Sequence, residues 1–250
     1  MIELQVQAGI ATVTLARPPV NAINNAWIDH FHEVLDRLAA RDDWSVLWIR
    51  SAGKAFCAGA DLAQIRSHFA EPAGARAMVA DIRRFHELFA RLETLPRVTM
   101  AEIHGAALGG GLEMALCCDL RIAADEASLG LPEARLGLLP GAGGTQRLTW
   151  LCGKGVASRL ILGGEIIGGQ AARDIGLVQW SVPAAELTEH ARQIARRIAD
   201  LAPAALAAAK RCIALSADAS SDGFQAELDA TETLFCDADT RRRVAAFLDR

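Results

Sequence analysis

The sequence predicts an α/β fold whose C-terminal part is helical. Two observations support this class. Apolar runs typical of strands alternate with amphipathic stretches typical of helices until about Gly143, and helical patterns dominate from there onward. The chain has 250 residues, enough for one large domain or one domain with a smaller appendage.

The N-terminal half supplies most of the predicted strands. In chain order, the predicted strands of this half are Ile2 to Gln7, Ile10 to Ala16, Ser45 to Arg50 and Val98 to His104. Four helices are predicted in this half. The first is capped by Asn24 or Asn25 and ends at about Ala40, and the second is capped by Asp61. The third extends from about Ala75 to Leu92, and the fourth begins near Gly110.

The second half begins with two short predicted strands, Leu120 to Ala124 and Ala127 to Leu129. It is then predicted to be mainly helical, apart from a strand near Leu177 to Val182. Pro183 and Pro203 mark helix starts, because proline fits the first helical turn. The last 50 or so residues are alanine-rich and are predicted to be helical.

Composition argues against several classes of protein. The net charge is −4 with both signs mixed along the chain, which disfavours general nucleic-acid binding. No apolar run reaches the ~18 residues of a membrane helix, and the N-terminus has a strand pattern rather than that of a signal peptide. The six cysteines show no CxxC or zinc-site spacing, so we expect reduced thiols, no metal and a cytoplasmic protein.

A glycine-rich segment, HGAALGGGLE from His104 to Glu113, joins a predicted strand to a predicted helix. The first N–H groups of a helix lack internal partners and carry partial positive charge, so they stabilise an oxygen that gains negative charge. A glycine turn needed only for tight packing remains an alternative. The segment reads GxxxGGG, which is not the GxGxxG of dinucleotide-binding proteins.

Two glutamates stand beside such glycine-rich segments. Glu113 falls in the first helical turn, where the helix dipole favours the ionised carboxylate. Glu133 follows Pro132 among glycines and leucines, and apolar surroundings favour its protonated form. Two carboxylates beside bare amides can add or remove water next to a polarised carbonyl. Alternatively, Glu113 is a capping residue and Glu133 pairs with Arg135 or Arg147.

Several ordered motifs resemble the enoyl-CoA hydratase/isomerase family, the crotonases. They are RPPVNAIN, AGKAFCAGADL, IHGAALGGGLEMALCCDLRIA, LGLPEARLGLLPGAGGTQRL and GKGVASRLILGGEIIGGQAARDIGLV. The similarity extends from about Ile10 to Ala199 and more faintly to the end. It implies a crotonase-like spiral of strand-strand-helix turns over residues 1–195. A helical C-terminal region, residues 196–250, would follow and serve oligomerisation into a homotrimer or a dimer of trimers.

The resemblance also implies an activity and a site. Backbone N–H groups of Ala60 and Gly110 would form an oxyanion hole, and Glu113 and Glu133 match the family's two catalytic glutamates. Both are present, which favours hydration of a 2-trans-enoyl-CoA, with the coenzyme A thioester as substrate and no cofactor. The further residues expected to contact coenzyme A or the acyl group are Ala55, Phe56, Ala58, Gly59, Asp61, Leu62, Gly109, Pro132 and Gly141.

The resemblance leaves alternatives and departures. Isomerisation of a 3-enoyl-CoA is the rival activity, and a non-catalytic RNA-binding member of the fold is a second one. Pro19 and Val20 occupy a shortened version of a segment that often carries lysine in the family. The end of the chain matches only the start of a basic tail through which Arg250 would approach the coenzyme. His104 replaces a frequent asparagine, and we expect a structural histidine there.

Overall fold

The computed structural model describes residues 1–217 and 220–249, and most of these residues lie in strands and helices. The strands are β1 Ile2–Gln7, β2 Gly9–Leu15, β3 Trp44–Ser51, β4 Val98–Ile103, β5 Ala106–Leu108, β6 Leu120–Ala124, β7 Ser128–Gly130, β8 Ile166–Gly168 and β9 Trp180–Val182. The helices are α1 Asn25–Ala39, α2 Leu62–His68, α3 Gly74–Glu93, α4 Gly110–Leu116, α5 Gly144–Leu162, α6 Gly169–Asp174, α7 Ala184–Ala199, α8 Pro203–Leu215, α9 Gly223–Cys236 and α10 Ala238–Leu248. A short 3-10 turn covers Glu133–Leu136.

The strands form two sheets between which the chain passes repeatedly. The larger sheet has the order β1-β2-β3-β4-β6-β9 and is parallel except for the β1–β2 pair, and the smaller sheet has the order β5-β7-β8. Strand β4 leads to β5 and then α4, and β6 leads to β7 and then α5. Each of these two turns places one strand in each sheet before a helix, which confirms the predicted α/β spiral.

The large sheet is buried because helices cover it. Every residue of β4 is buried, as expected for a central parallel strand. Helix α7 contacts β2, β3, β4 and β6 and buries an apolar stripe that includes Leu187 and Ile194. The predicted cap of α1 is Asn24, whose side chain accepts a hydrogen bond from the Trp27 amide, and Asp61 caps α2 as predicted.

Three strands differ from the predictions. The strand predicted near Leu177 is restricted to β9, because the Leu177 and Val178 amides donate to the Ala172 carbonyl oxygen in the turn after α6. Strands β5 and β8 were not predicted, since each has three residues and too little periodicity to stand out. Both depend on pairing with β7.

The C-terminal helices α8 to α10 bury few side chains. Only Ala208 and Ala230 are buried within them, among the residues described. Their exposed large apolar side chains include Ile213, Phe224, Leu228, Phe235, Val244, Phe247 and Leu248. The expected boundary after residue 195 lies within α7, and the division into two regions stays a prediction. In residues 1–217 and 220–249, no helix is both long and apolar enough to cross a bilayer.

Candidate active site

Two backbone segments, the loop at residues 57–61 and the β5–α4 junction, lie side by side. The Cys57 amide donates to the Ala106 carbonyl at 3.0 Å, and the Leu108 amide donates to the Cys57 carbonyl at 3.0 Å. Gly111 permits this approach, because a Cβ there would lie 2.1 Å from the Cys57 carbonyl oxygen. The first glycine segment therefore has a packing role as well as any chemical one.

The Ala60 and Gly110 amides come together in this arrangement. Ile23 bonds to both neighbours of Ala60: its amide donates to the Gly59 carbonyl and its carbonyl accepts from the Asp61 amide, each at 2.8 Å. In a parallel bridge of this kind, the N–H of the intervening residue points away from the partner strand. Gly110 begins α4, so its N–H has no acceptor within the helix. A Cβ built on Gly110 would lie 3.5 Å from the Ala60 nitrogen.

Ala60 and Gly110 line one cavity of about 180 Å³, which Glu113 and Glu133 also line. We call it the catalytic cavity. Its remaining wall consists mainly of small and apolar residues from α2, α3 and the segment that follows β7: Ala58, Gly59, Leu62, Ile65, Met78, Ile82, Phe85, Leu108, Gly109, Pro132, Leu136, Leu138, Leu139, Gly141 and Ala142. A polar centre in an apolar pocket is typical of sites that bind small molecules.

Glu113 is held from the loop that precedes α5. Its side chain is 3% exposed, and its Oε1 accepts hydrogen bonds from the Ala142 and Gly144 amides, each at 2.8 Å. Burial raises the pKa of Glu113 to about 7, although the Gly144 amide opposes the shift. The ionised carboxylate expected from the helix dipole is thus less favoured than in an ordinary glutamate, because burial removes the carboxylate from water.

Glu133 begins the 3-10 turn after Pro132. Burial raises its pKa, as its apolar surroundings predicted. Its Oε2 is buried and has no hydrogen-bond partner within the described part of the chain. Gly109 allows the carboxylate to approach α4, since a Cβ there would lie 3.1 Å from Glu133 Oε1. Among those same residues Glu133 forms no ion pair.

Arg147 braces the loop that holds Glu113, a role not predicted from the sequence. Its guanidinium donates to both carboxylate oxygens of Glu93, at 3.1 and 2.8 Å, and to the Ala142 carbonyl oxygen at 3.1 Å. Ala142 is therefore held at its carbonyl oxygen by Arg147 and at its amide by Glu113. The arginine that ends the GAGGTQR segment was the available signal.

Asn21 braces the other loop. It is 1% exposed, and its Nδ2 donates to Ser51 Oγ at 2.8 Å and to the carbonyl oxygens of Ala55 and Phe56 at 3.2 and 3.0 Å. Sequence reasoning used this asparagine only as part of the RPPVNAIN motif. Its side chain replaces the hydrogen bonds that an irregular buried loop would otherwise lack.

The remaining predicted contact residues divide into two groups. Ala58, Gly59, Leu62, Gly109, Pro132 and Gly141 line the catalytic cavity. Ala55 and Phe56 are buried and do not line it, and Asp61 forms an ion pair with Arg17 at 2.8 Å. Contacts of these three with coenzyme A stay predictions.

Two other expectations concern the coenzyme end of the site and metal binding. His104 Nε2 donates to the Gly53 carbonyl at 2.9 Å, a bond consistent with a structural histidine. Arg250 lies outside the described residues. Within those residues no group of three or more His, Cys, Asp or Glu side chains is placed to hold a metal ion.

Comparisons with known proteins extend over nearly the whole chain and agree on one family. The family model described as enoyl-CoA hydratase/isomerase matches residues 5–250. A probable enoyl-CoA hydratase of Bacillus subtilis is 35% identical over 251 residues, covering 100% of this chain and 96% of the relative. The 2,3-dehydroadipyl-CoA hydratase of Escherichia coli is 38% identical over 246 residues, covering 98% and 94%. The crystal structure of an enoyl-CoA hydratase from Bacillus anthracis superposes with a TM-score of 0.91 at 34% identity, covering 99% of this chain and 96% of that one.

Proposed function

Because the chain belongs to the enoyl-CoA hydratase/isomerase family, we propose that it adds water across the 2,3 double bond of a 2-trans-enoyl-CoA, giving a 3-hydroxyacyl-CoA. The observation that carries this proposal is one cavity lined by two carboxylates, Glu113 and Glu133, and by the amides of Ala60 and Gly110. Such a reaction belongs in the degradation of fatty acids or related acyl-CoA esters.

The two amides act on the thioester oxygen. When water attacks C3, the electron pair of the double bond moves toward the thioester and the oxygen acquires enolate-like charge. N–H donors already oriented toward that oxygen stabilise the transition state more than the ground state, and one such donor contributes about 10²–10³ in rate. Ala60 and Gly110 suit this role because helix and strand pairing leave their N–H groups unused.

The two carboxylates move protons. Glu113 accepts a proton from the water as its oxygen bonds to C3, and Glu133 gives a proton to C2. One proton leaves the water and one reaches the substrate, so the product gains one H₂O and a proton transfer between the carboxylates or through solvent restores them. The roles of the glutamates can also be exchanged or shared through one water. The pKa of each is raised toward the working pH, which suits acid–base catalysis.

The proposed reaction requires no metal or cofactor, because the amides polarise the thioester and coenzyme A enters with the substrate. The closest alternative in reaction type is isomerisation of a 3-enoyl-CoA, in which a carboxylate moves a proton between C2 and C4. It needs no attacking water and makes less use of a second carboxylate, whereas here two carboxylates share the cavity.

The test is hydration of crotonyl-CoA by the wild-type protein and by Glu113→Gln and Glu133→Gln, followed as loss of enoyl absorbance. Each variant is expected to lose at least about 10²-fold in kcat, while Glu87→Gln, an exposed change on α3, keeps the wild-type rate. A double glutamine variant that hydrates as fast as wild type would refute the mechanism. A coupled assay with 3-hexenoyl-CoA distinguishes an isomerase.

We also propose a homotrimer, or a dimer of trimers, located in the cytoplasm. The large apolar side chains exposed on α8 to α10 support self-association, since seven of them lie on three consecutive helices and large exposed apolar surface is normally covered in soluble proteins. Six free cysteines support a reducing compartment. Light scattering after size-exclusion chromatography is expected to give three or six times the chain mass of 26.6 kDa. A monomer at micromolar concentration would contradict the assembly.

A further inference from the structure

The loop that precedes α5 and holds Glu113 is itself held by α3. His86 Nε2 lies 2.7 Å from the Gly141 carbonyl oxygen. A carbonyl oxygen has no proton to give, so Nε2 is the donor in this bond and carries the proton of the neutral ring. Ile82, one helical turn earlier on α3, lies beside the same glycine, since a Cβ on Gly141 would meet Ile82 Cδ1 at 3.3 Å. Helix α3 therefore fixes Gly141 from two positions on one face.

The bond to His86 and one bond to Glu113 belong to the same peptide unit. Its carbonyl oxygen, that of Gly141, accepts from His86, and its N–H, that of Ala142, donates to Glu113 Oε1 at 2.8 Å. The unit is trans, so its C=O and N–H point in opposite directions and join the two side chains in one chain of hydrogen bonds. Hydrogen bonds in such a chain polarise one another, so the donor at Gly141 strengthens the bond from Ala142 to Glu113.

The loop orients the Glu113 carboxylate through one of its two oxygens. The Ala142 and Gly144 amides both donate to Oε1, whereas Oε2 receives no hydrogen bond from the part of the chain that the structure describes. A rotation of the peptide between Gly141 and Ala142 would break the bond to His86 and the bond to Oε1 together. The loop therefore directs Oε2, the oxygen that is left for the water of the proposed mechanism.

We propose that His86 is a positioning residue for the hydration: by fixing the peptide between Gly141 and Ala142, its imidazole sets the orientation of the Glu113 carboxylate. This inference rests on the proposed function, in which Glu113 is the base that accepts a proton from water. His86 does not line the catalytic cavity, so it reaches the reacting atoms only through that peptide. Arg147 of α5 holds the next carbonyl oxygen, that of Ala142, so two helices fix neighbouring peptides of the loop.

The expected effect is that of one hydrogen bond. A bond between neutral groups contributes about two- to tenfold to an equilibrium, and a misdirected base slows the chemical step without weakening substrate binding. We therefore expect His86→Leu to lower kcat about three- to tenfold and to leave KM within about twofold of wild type. His86 is exposed, so its replacement leaves no buried cavity, and Tm should stay within about 2 °C of wild type.

The experiment measures kcat and KM for crotonyl-CoA hydration in wild type, His86→Leu and His86→Gln. The glutamine amide places an N–H donor near the position of Nε2, so His86→Gln should restore kcat to within about twofold of wild type. His190→Leu is the matched control: it makes the same replacement on α7, outside the catalytic cavity, and kcat stays at its wild-type value.

A double variant tests whether His86 acts through Glu113. In a Glu113→Gln background, His86→Leu should change the residual kcat by less than about twofold, because a residue that positions the base has no effect once the base is absent. A general loss of structure would instead lower kcat by the same factor in both backgrounds.

Hydrogen–deuterium exchange of the loop requires no turnover. Peptides that contain Ala142 and Gly144, followed by mass spectrometry, should exchange at least about threefold faster in His86→Leu than in wild type. The same peptides of His86→Gln should exchange at the wild-type rate.

An unchanged kcat in His86→Leu would overturn the proposal. So would a loss of kcat that His86→Gln does not restore, or one that is equally large in the Glu113→Gln background. If wild type hydrates crotonyl-CoA but His86→Leu changes neither kcat nor exchange, the positioning role is wrong and the proposed function stands. If exchange changes as expected but wild type does not hydrate crotonyl-CoA, the hold of His86 on the loop stands and the proposed function is wrong.

Discussion

Substitution of one glycine, Gly111→Ala, separates two opposing effects in the candidate site. Gly111 lies in the first turn of α4, where alanine is favoured over glycine by about 1 kcal/mol in helix propensity. The added Cβ, however, would lie 2.1 Å from the Cys57 carbonyl oxygen and 2.7 Å from its carbonyl carbon. These are backbone atoms, which cannot rotate away as a side chain does.

The magnitude follows from the distance that has to be restored. Ordinary contact begins at about 3.4 Å, so the 57–61 loop has to retreat from α4 by roughly 1.3 Å. That movement strains the hydrogen bond between the Leu108 amide and the Cys57 carbonyl and carries Ala60 away from Gly110. Overpacking costs about 1–3 kcal/mol, which leaves a net loss of up to about 2 kcal/mol after the ~1 kcal/mol that helix propensity returns. A misplacement of about 1 Å in a site lowers the rate about 10²-fold.

We therefore expect Gly111→Ala to lower kcat for crotonyl-CoA hydration about 10²-fold and to lower Tm by up to roughly 8 °C. Gly155→Ala in α5 is the matched control, because a Cβ there meets nothing within 4 Å. The control is expected to keep its kcat and to melt no earlier than wild type. A Gly111→Ala protein with kcat within threefold of wild type would refute the reasoning, since the loop contact would then not set the geometry of the amides.

Four further predictions concern charge and thiols. The hydration rate is expected to fall below about pH 7 as Glu113 takes up its proton, and an acid limb that persists unchanged in Glu113→Gln would contradict this. The folded-state pKa of Glu113 is raised from 4.5 to about 7, so the contribution of this residue to stability is present below pH 4.5 and is lost as the pH rises through 7. At about pH 8, Glu113→Gln should therefore have a higher Tm than wild type and a free energy of unfolding that is larger by up to roughly 3 kcal/mol. At about pH 4.5 the difference should be much smaller. Arg147→Met removes a positive charge that lowers the pKa of Glu113, so the acid limb of kcat/KM should move to higher pH. Arg159→Met, which removes a half-exposed arginine of the same helix and its ion pair with Glu165, should leave the limb in place, and identical limbs in Arg147→Met and wild type would contradict the charge effect. A thiol reagent should label exposed Cys236 in the native protein well before buried Cys57, because burial raises the pKa of the Cys57 thiol to about 12. Mass spectrometry of the labelled peptides measures the order, and earlier labelling of Cys57 would contradict the prediction.

Much of the fold could be predicted because it depends on short stretches of sequence. The apolar stripe and the cap of α1, the aspartate cap of α2 and the buried run of β4 each follow from residues within one element. The three-residue strands β5 and β8 could not be predicted in the same way, because their backbone is ordered by β7, which lies elsewhere in the chain. The start of β9 was misplaced for a related reason: the preceding apolar residues Leu177 and Val178 are buried in a turn, and burial alone does not distinguish a turn from a strand.

The candidate site shows the same division between near and distant sequence. That Glu113 follows three glycines was visible in the sequence, and so was the apolar setting of Glu133. The two amides that hold Glu113 come from about thirty residues further on, at Ala142 and Gly144, and no local pattern connects them to it. The pKa of Glu113 depends on how completely the surrounding elements exclude water, which a helix-dipole argument does not include.

The unequal support of the two carboxylates bears on their roles. Glu113 is fixed by two amides on one oxygen, whereas Glu133 Oε2 is buried with no partner among the described residues. A buried acceptor left unpaired costs about 1–3 kcal/mol, and a ligand or water that bonds to it recovers that free energy. The unsatisfied oxygen therefore favours occupation of the cavity on the Glu133 side, which is where the proposed mechanism places the proton for C2. Glu113 needs no such compensation, and its fixed carboxylate suits the task of orienting water for attack at C3.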